Sequence, residues 1–327
     1  MKPKSRQNAG SSTALDRFIA GLYRSGLSVR PEGFRGWALR QLQTVIPFDA
    51  AMWGSGNLRD WRLQNVTLLG LPPDYPRTLE GTRAINPMLP HLIKHPGIPV
   101  DMQSVCADER FYKSDLYRRC FRRFGIRRIL ATGHADPRSG MISLLSLYRR
   151  SRRASFSPAE KALQQHAAFH LFEAASHAYF LHLNLTFAKE RAAGGAAAVV
   201  GAGGEFHEVQ PRFLDLLERH FPGRQRARLP FPVPPPGQTQ THGGLCVISQ
   251  PLGDLSCVRL WPSGPLDRLT ERERQIVYSV TQGLSFKQVA SNLGLAPSTV
   301  ANHLYRVYRK LGVNGRGQLA DLLYPSS

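Results

Sequence analysis

Apolar positions recur at helical spacing near the start of the chain, alternate through its middle, and return to helical spacing at its end. Residues 13–25 and 33–45 are predicted as two helices. Residues 46–53 and 65–69 read as strands, and 128–134 with 141–148 as a hairpin turned at Asp136-Pro-Arg-Ser-Gly140. Ser157, Pro158 and Glu160 cap a long helix that continues to Leu185. Along it Leu163, Ala167, His170, Ala174, Ala178, Leu181 and Leu185 fall on one stripe with a spacing near 3.5, which predicts a seam with a second copy of the chain. Two short apolar runs then flank a Gly-rich turn between Gly195 and Val209. Residues 211–221 form a short amphipathic helix with Phe213, Leu216 and Leu217 inward, and 245–249 and 256–261 are two more strands. The Pro-rich stretch 229–237 is an extended loop.

The last sixty residues carry the densest local signals. Thr270 and Glu273 form a capping box, and Gly283 supplies a left-handed stop. Ser285 and Gln288 repeat the device for a short helix that closes at Gly294. Pro297 opens a third helix at the one position where its missing N–H costs nothing. Three capped helices with a tight turn between the last two make a helix-turn-helix. Arg316 opens a final apolar run. In the third helix Val300, Leu304, Val307 and Leu311 share one stripe and are assigned to the core. Ser298, Asn302, Tyr305, Arg306 and Arg309 stand on the opposite face, with Ala301 at its margin. Such a face suits a major groove, where Asn pairs with adenine and Arg with guanine or phosphate. Together with Lys287, Thr299 and Arg316 these residues are the expected DNA contacts.

This segment resembles the LuxR-type helix-turn-helix of bacterial transcription regulators. The resemblance rests on Leu269 to Glu273, Gly283, Ser285, Lys287, Val289, Ala290, Thr299-Val300, His303, Lys310 to Val313 and Arg316. It implies a four-helix DNA-binding domain over 265–327 and a regulator acting on duplex DNA, with RNA polymerase a partner if it activates. Two positions depart from the pattern. Ala296 replaces the usual Ser before the third helix, and Ala301 replaces a frequent Lys.

Composition narrows the rest. With 327 residues the chain has room for two or three domains. No stretch approaches the eighteen or so apolar residues that span a bilayer. The first ten residues lack an apolar core, so residues 1–11 are expected as a disordered arm rather than a secretory signal. Cys106, Cys120, Cys246 and Cys257 are scattered without a Cys-x-x-Cys pair, which fits a reducing cytoplasm. The net charge of +20 suggests nucleic acid. Yet from Pro265 onward only eight Lys/Arg face four Asp/Glu. Much of the excess lies in Tyr117-Arg-Arg-Cys-Phe-Arg-Arg-Phe-Gly-Ile-Arg-Arg128 and Arg149-Arg-Ser-Arg-Arg153. Arg118/Arg122 and Arg119/Arg123 are expected to stack at i, i+4 on a helix with Phe121 and Phe124 on its buried side. Two readings stay open there: a solvated face, or an auxiliary contact to the DNA backbone.

The element order of 12–185 resembles a GAF-type sensor domain, and 191–262 resembles a reduced PAS-type domain. The expected fold is therefore α+β and multidomain, with GAF/PAS-like mixed sensor domains ahead of an all-α tetrahelical LuxR-type domain. The resemblance implies a homodimer and an unidentified small-molecule ligand. Trp53, Phe111, Tyr112, Phe124, His134 and Tyr148 are the candidates for lining its cavity. An acyl-homoserine lactone is not expected, because Ile85-Asn86-Pro87 holds an Asn where such sensors place an Asp, and no Trp-x-x-x-Tyr precedes it. His166 and His170 stand one turn apart, but no third metal ligand is identifiable, and no cofactor is expected. No Ser/His/Asp arrangement marks an enzyme. The rivals to a ligand-controlled regulator are a GAF-like hydrolase with secondary DNA binding and a ligand-free protein-interaction scaffold.

Overall fold

A computed structural model describes residues 5–57, 63–186 and 195–323. The chain divides into two units, Met1–Gln238 with Ile248–Leu260, and Thr239–Val247 with Trp261–Ser327.

The first unit opens with α1 (Ser5–Arg24) and α2 (Pro31–Gln43), then β1 (Ala50–Asn57) and β2 (Leu63–Leu69). Short helices follow: α3 (Tyr75–Glu80), α4 (Met88–Lys94), and, after β3 (Val100–Asp101), α5 (Met102–Val105), α6 (Asp108–Lys113) and α7 (Asp115–Arg119). The hairpin β4 (Arg128–Asp136) and β5 (Met141–Arg149) leads into α8 (Pro158–Thr186). The sheet is ordered β2-β1-β5-β4-β3, and its neighbouring strands pair antiparallel.

Strand alternation sends successive side chains to opposite faces, and both faces are covered. Ala51, Trp53, Leu130, Leu145 and Leu147 pack with α1, α2 and α8. Ala50, Met52, Ile129, Ala131 and Tyr148 pack with the short helices. At the start of α8 the expected cap is present, with Glu160 N–H donating to Ser157 Oγ and Ser157 N–H to Glu160 Oε2. Arg149 reaches over the Phe156 ring to Glu160 and to the Pro47 carbonyl, so this arginine is a buried tie rather than surface charge.

A second antiparallel sheet follows, with β6 (Ala196–Val200), β7 (Phe206–Val209), α9 (Pro211–His220), β8 (Gln240–His242), β9 (Leu245–Leu252) and β10 (Leu255–Pro262). Within the first unit the order is β7-β6-β10-β9, and α9 buries Phe213, Leu214, Leu216 and Leu217. Residues 195–238 and 248–260 of the 191–262 segment fall in the first unit. Phe180 and Leu183, near the end of α8, belong to a core with Ala197, Val199 and Cys257, so one helix serves both sheets. Arg35 on α2 pairs with Glu208 on β7, and Arg138 in the β4–β5 turn pairs with Asp215 and Glu218 on α9.

Three expectations need correction. Helix α1 takes in residues 5–11 of the expected arm, while residues 1–4 lie outside the described residues. The basic helix is broken: α7 ends at Arg119, Cys120 turns at φ −115° and ψ −76°, and 121–124 continue as a 3-10 turn, so the arginines do not stack at i, i+4. In the proposed seam of α8, Ala167, Ala174 and Ala178 are buried in the chain's own core with α1 and α2. The exposed face of α8 holds Gln165, His166, Phe169, Glu173 and His177 instead. Leu185 has no described side chain.

The second unit begins with the hairpin of β8 and residues 245–247. Gly243 and Gly244 both take positive φ (54° and 81°), the backbone of a two-residue turn that other residues adopt at a cost. Four helices complete it: α10 (Glu271–Thr281), α11 (Phe286–Leu293), α12 (Pro297–Leu311) and α13 (Arg316–Leu323). Their core is Leu269, Ile276, Val277, Val280, Val289, Val300, Leu304, Val307 and Leu319.

Candidate nucleic-acid interface and front cavity

Local chemistry sets each helix of the second unit. Thr270 Oγ1 accepts from Glu273 N–H at 3.3 Å, while Thr270 N–H donates to Glu273 Oε2 at 2.8 Å. Glu273 is also buried and takes Lys310 Nζ at 2.7 Å from the far end of α12. Burial opposes its charge, but Lys310 and the two Thr270 hydrogen bonds outweigh that and hold the carboxyl below its usual range. This pair, 37 positions apart, fixes α10 against α12. Ser285 and Gln288 form the second box, and Gly294 (φ 64°) closes α11. Three residues, Gly294 to Ala296, then turn the chain into α12. Ala296 caps α12 with backbone alone, as its lack of a hydroxyl requires.

The turn geometry gives α12 two distinct faces. Val300, Leu304 and Val307 are buried, and Leu311 is half-buried against the same core. Ser298, Asn302, Tyr305, Arg306 and Arg309 are all exposed, and Tyr305 keeps 65% of its surface. Thr299 is half-buried. Lys287 is exposed on α11 and Arg316 at the start of α13. No salt bridge engages Lys287, Arg306, Arg309 or Arg316 among the described residues, so their charge faces outward uncompensated. The side of α12 opposite its buried stripe thus carries Ser298, Asn302, Tyr305, Arg306 and Arg309. Sequence reasoning missed Phe286, an aromatic at the start of α11 that is 44% exposed beside Lys287.

Residues 267–323 match the family described as bacterial regulatory proteins, luxR family. They are a luxR-family domain. Over 62 residues the chain is 42% identical to the transcriptional regulatory protein UhpA of Escherichia coli, covering 19% of this chain and 32% of that protein. Over 73 residues it is 36% identical to a nitrate/nitrite response regulator homolog of Haemophilus influenzae, covering 22% and 35%. The chain thus spans about a third of the length of these curated relatives. A crystal structure of Escherichia coli SdiA aligns over 94% of this chain and 95% of that one, at 12% identity and a TM-score of 0.38.

The front unit holds an apolar cavity of about 120 Å³ between the sheet and the short helices. Ile129 and Ala131 on β4, Ile142, Leu144 and Tyr148 on β5, and Met88, Leu89 and Leu92 on α4 line it. Its polar rim includes Asn86, whose Oδ1 accepts from Met88 N–H at 3.0 Å, together with Arg83 and Glu80. Of the six candidate lining residues, Tyr148 presents its side chain to this space. The His134 ring lies 6.2 Å from the rings of Phe169 and Phe172 on the other face, so His134 meets the cavity through its strand. Trp53 also points to that face, against Phe172. Phe111 and Phe124 pack in the core beside the cavity, and Tyr112 packs on Phe111 and Tyr117. The correction follows from pleat: on β1, Met52 faces the cavity side and Trp53 cannot.

The histidines of α8 are engaged locally. His166 bonds the Ala162 carbonyl, and His170 meets the Tyr23 hydroxyl at 3.3 Å. Among the described residues no three His, Cys, Asp or Glu side chains group as a metal site would need. Among the same residues no helix is long and apolar enough to cross a membrane.

Proposed function

We propose that this chain is a transcription regulator that reads specific duplex DNA through α12 and answers a signal received by its front unit. The observation that carries the reading is the division of α12 into a buried apolar face and an exposed face bearing Asn302, Tyr305, Arg306 and Arg309. Asn302 and Arg306 suit base edges, and Lys287, Ser298, Thr299, Arg309 and Arg316 suit phosphates. Two copies bind a two-fold operator as a homodimer, and RNA polymerase is the further partner if the regulator activates.

The front cavity is the proposed receiver. An apolar space of comparable size holds one aromatic ring in an engineered protein, so the fitting ligand is small and apolar, with one polar group for Asn86 or Arg83. Occupancy changes DNA affinity only if the ligand favours one arrangement of the protein over another. The reading as a hydrolase gains no catalytic constellation from this geometry.

Titration of a labelled operator by full-length protein tests the DNA reading. Lys287→Ala and Arg309→Ala are expected to weaken binding to every duplex and to lower the salt slope by about 0.9 for each phosphate no longer neutralised. Unchanged affinity and slope in both variants would refute the assigned face.

A further inference from the structure

The luxR-family domain carries little of the chain's positive charge: its eight Lys/Arg after Pro265 face four Asp/Glu, within a total of +20. The densest basic runs lie in the front unit, ten arginines split between 118–128 and 149–153. The β4–β5 hairpin joins these two runs. Arg128 pairs in register with Arg149, and Arg127 N–H donates to the Arg149 carbonyl at 2.8 Å. Both runs therefore emerge at one end of the first sheet.

Four of the ten are committed to carboxylates: Arg118 to Asp115, Arg123 to Asp74, Arg128 to Asp108 and Arg149 to Glu160. Arg119, Arg122, Arg127, Arg150, Arg152 and Arg153 pair with no carboxylate among the described residues, and all but half-buried Arg127 are exposed. Of the acids on α6 and α7, Asp108 and Asp115 are already neutralised, leaving Glu109. Two of the free cations are held in place. The Arg152 guanidinium lies 3.7 Å from the centre of the Tyr112 ring, and that of Arg127 lies 5.4 Å from Tyr117. The two tyrosine rings stack edge to face at 5.0 Å, and Tyr112 Oη donates to the Arg127 carbonyl at 2.9 Å. Stacking of this kind orders a guanidinium while leaving its N–H fork outward, which lowers the entropy lost when it grips an anion.

We propose that this arginine end of the sheet is a second nucleic-acid contact, which grips the phosphate backbone of the duplex whose bases the luxR-family domain reads. The inference rests on the DNA reading of that domain. Three features select DNA over other polyanions. The unpaired cations of the two runs are all arginines, whose planar fork matches phosphate oxygens, and exposed Lys113 stands next to Tyr112 on α6. The exposed large apolar side chains lie elsewhere, at positions such as Leu27, Phe169 and Phe286, so the patch lacks the apolar face that a membrane surface would bind. Tethering to a DNA-reading domain also raises the effective concentration of duplex phosphate around the front unit, so modest contacts suffice.

The test uses full-length protein carrying Arg119→Ala, Arg122→Ala, Arg152→Ala and Arg153→Ala together. All four side chains are exposed, and an unchanged thermal melt checks the fold. Binding to a fluorescein-labelled duplex of unrelated sequence is followed by anisotropy over a series of KCl concentrations. The slope of log K against log salt should shrink by about 0.9 for each phosphate no longer neutralised, hence by roughly 2 to 4, with affinity at low salt down more than tenfold. The four Arg→Lys substitutions should keep most of the slope. Parent-like slope and affinity in the alanine variant would overturn the proposal. So would a loss confined to vesicles of anionic phospholipid or to an acidic peptide, with duplex binding intact. Lys287→Ala and Arg309→Ala, run alongside, separate the two claims. A loss there without a loss at the patch overturns the patch alone, and a loss at the patch with both of these unchanged overturns the reading of α11 and α12.

Discussion

Leu304→Ala should unfold the luxR-family domain and abolish operator binding, although Leu304 is buried and is not among the proposed DNA contacts. Leu304 is 3% exposed at the centre of the helical core, where deleting the isobutyl group costs about 2–5 kcal/mol in transfer and cavity energy. The family match spans 267–323, and a core that small supplies only about 3–5 kcal/mol in all. One substitution therefore consumes most of its stability. The neighbouring Tyr305→Ala removes a side chain that is 65% exposed and should leave the fold intact while weakening DNA binding. Circular dichroism of full-length variants checks the pair. The expected result is partial loss of helix signal with Leu304→Ala, the front unit staying folded, and none with Tyr305→Ala. Equal melting curves for the two would show that α12 has no fixed buried face.

The second large effect is expected at the ion pair between α2 and β7. Arg35 bonds Glu208 at 3.0 Å and Ser55 at 3.1 Å, and the Arg35 and Glu208 side chains are only 10% and 18% exposed. Burial pushes the Glu208 carboxyl above its usual range and the Arg35 guanidinium below its own, and their mutual attraction does not restore either. Desolvation thus outweighs attraction at both partners, so the pair adds little over an apolar contact of the same shape. Glu208→Ala strands a buried cation and should cost about 3–5 kcal/mol in urea unfolding. Arg35→Met combined with Glu208→Leu removes both charges and should recover most of that loss. If the double variant is as unstable as the single one, apolar packing rather than charge governs the contact.

The luxR-family domain was legible because its signals are local. Capping boxes at Thr270/Glu273 and Ser285/Gln288, the stop at Gly294 and the period of Val300, Leu304 and Val307 all fall within short windows. The pair of Glu273 with Lys310 was not, since nothing in either neighbourhood names a partner 37 positions away. In the front unit alternation disclosed β2, β4 and β5 but not which face each residue takes, and this misplaced Trp53. Strand β3 has two residues, too few for any period. The seam predicted on α8 failed for a related reason: spacing shows that Ala167, Ala174 and Ala178 are covered, but not that α1 and α2 of the same chain cover them. The break at Cys120 carries neither Gly nor Pro and leaves no mark in the sequence.

Selection of bound duplexes from a random-sequence pool by full-length protein tests the central claim most directly. The wild type should enrich a two-fold sequence. Asn302→Ala should lose preference at one base position of each half-site, at a cost of about 1–3 kcal/mol there, while still binding duplex. A pool with no enriched sequence, or one that Asn302→Ala and Tyr305→Ala leave unchanged, would contradict the assignment of α12 as the reading helix.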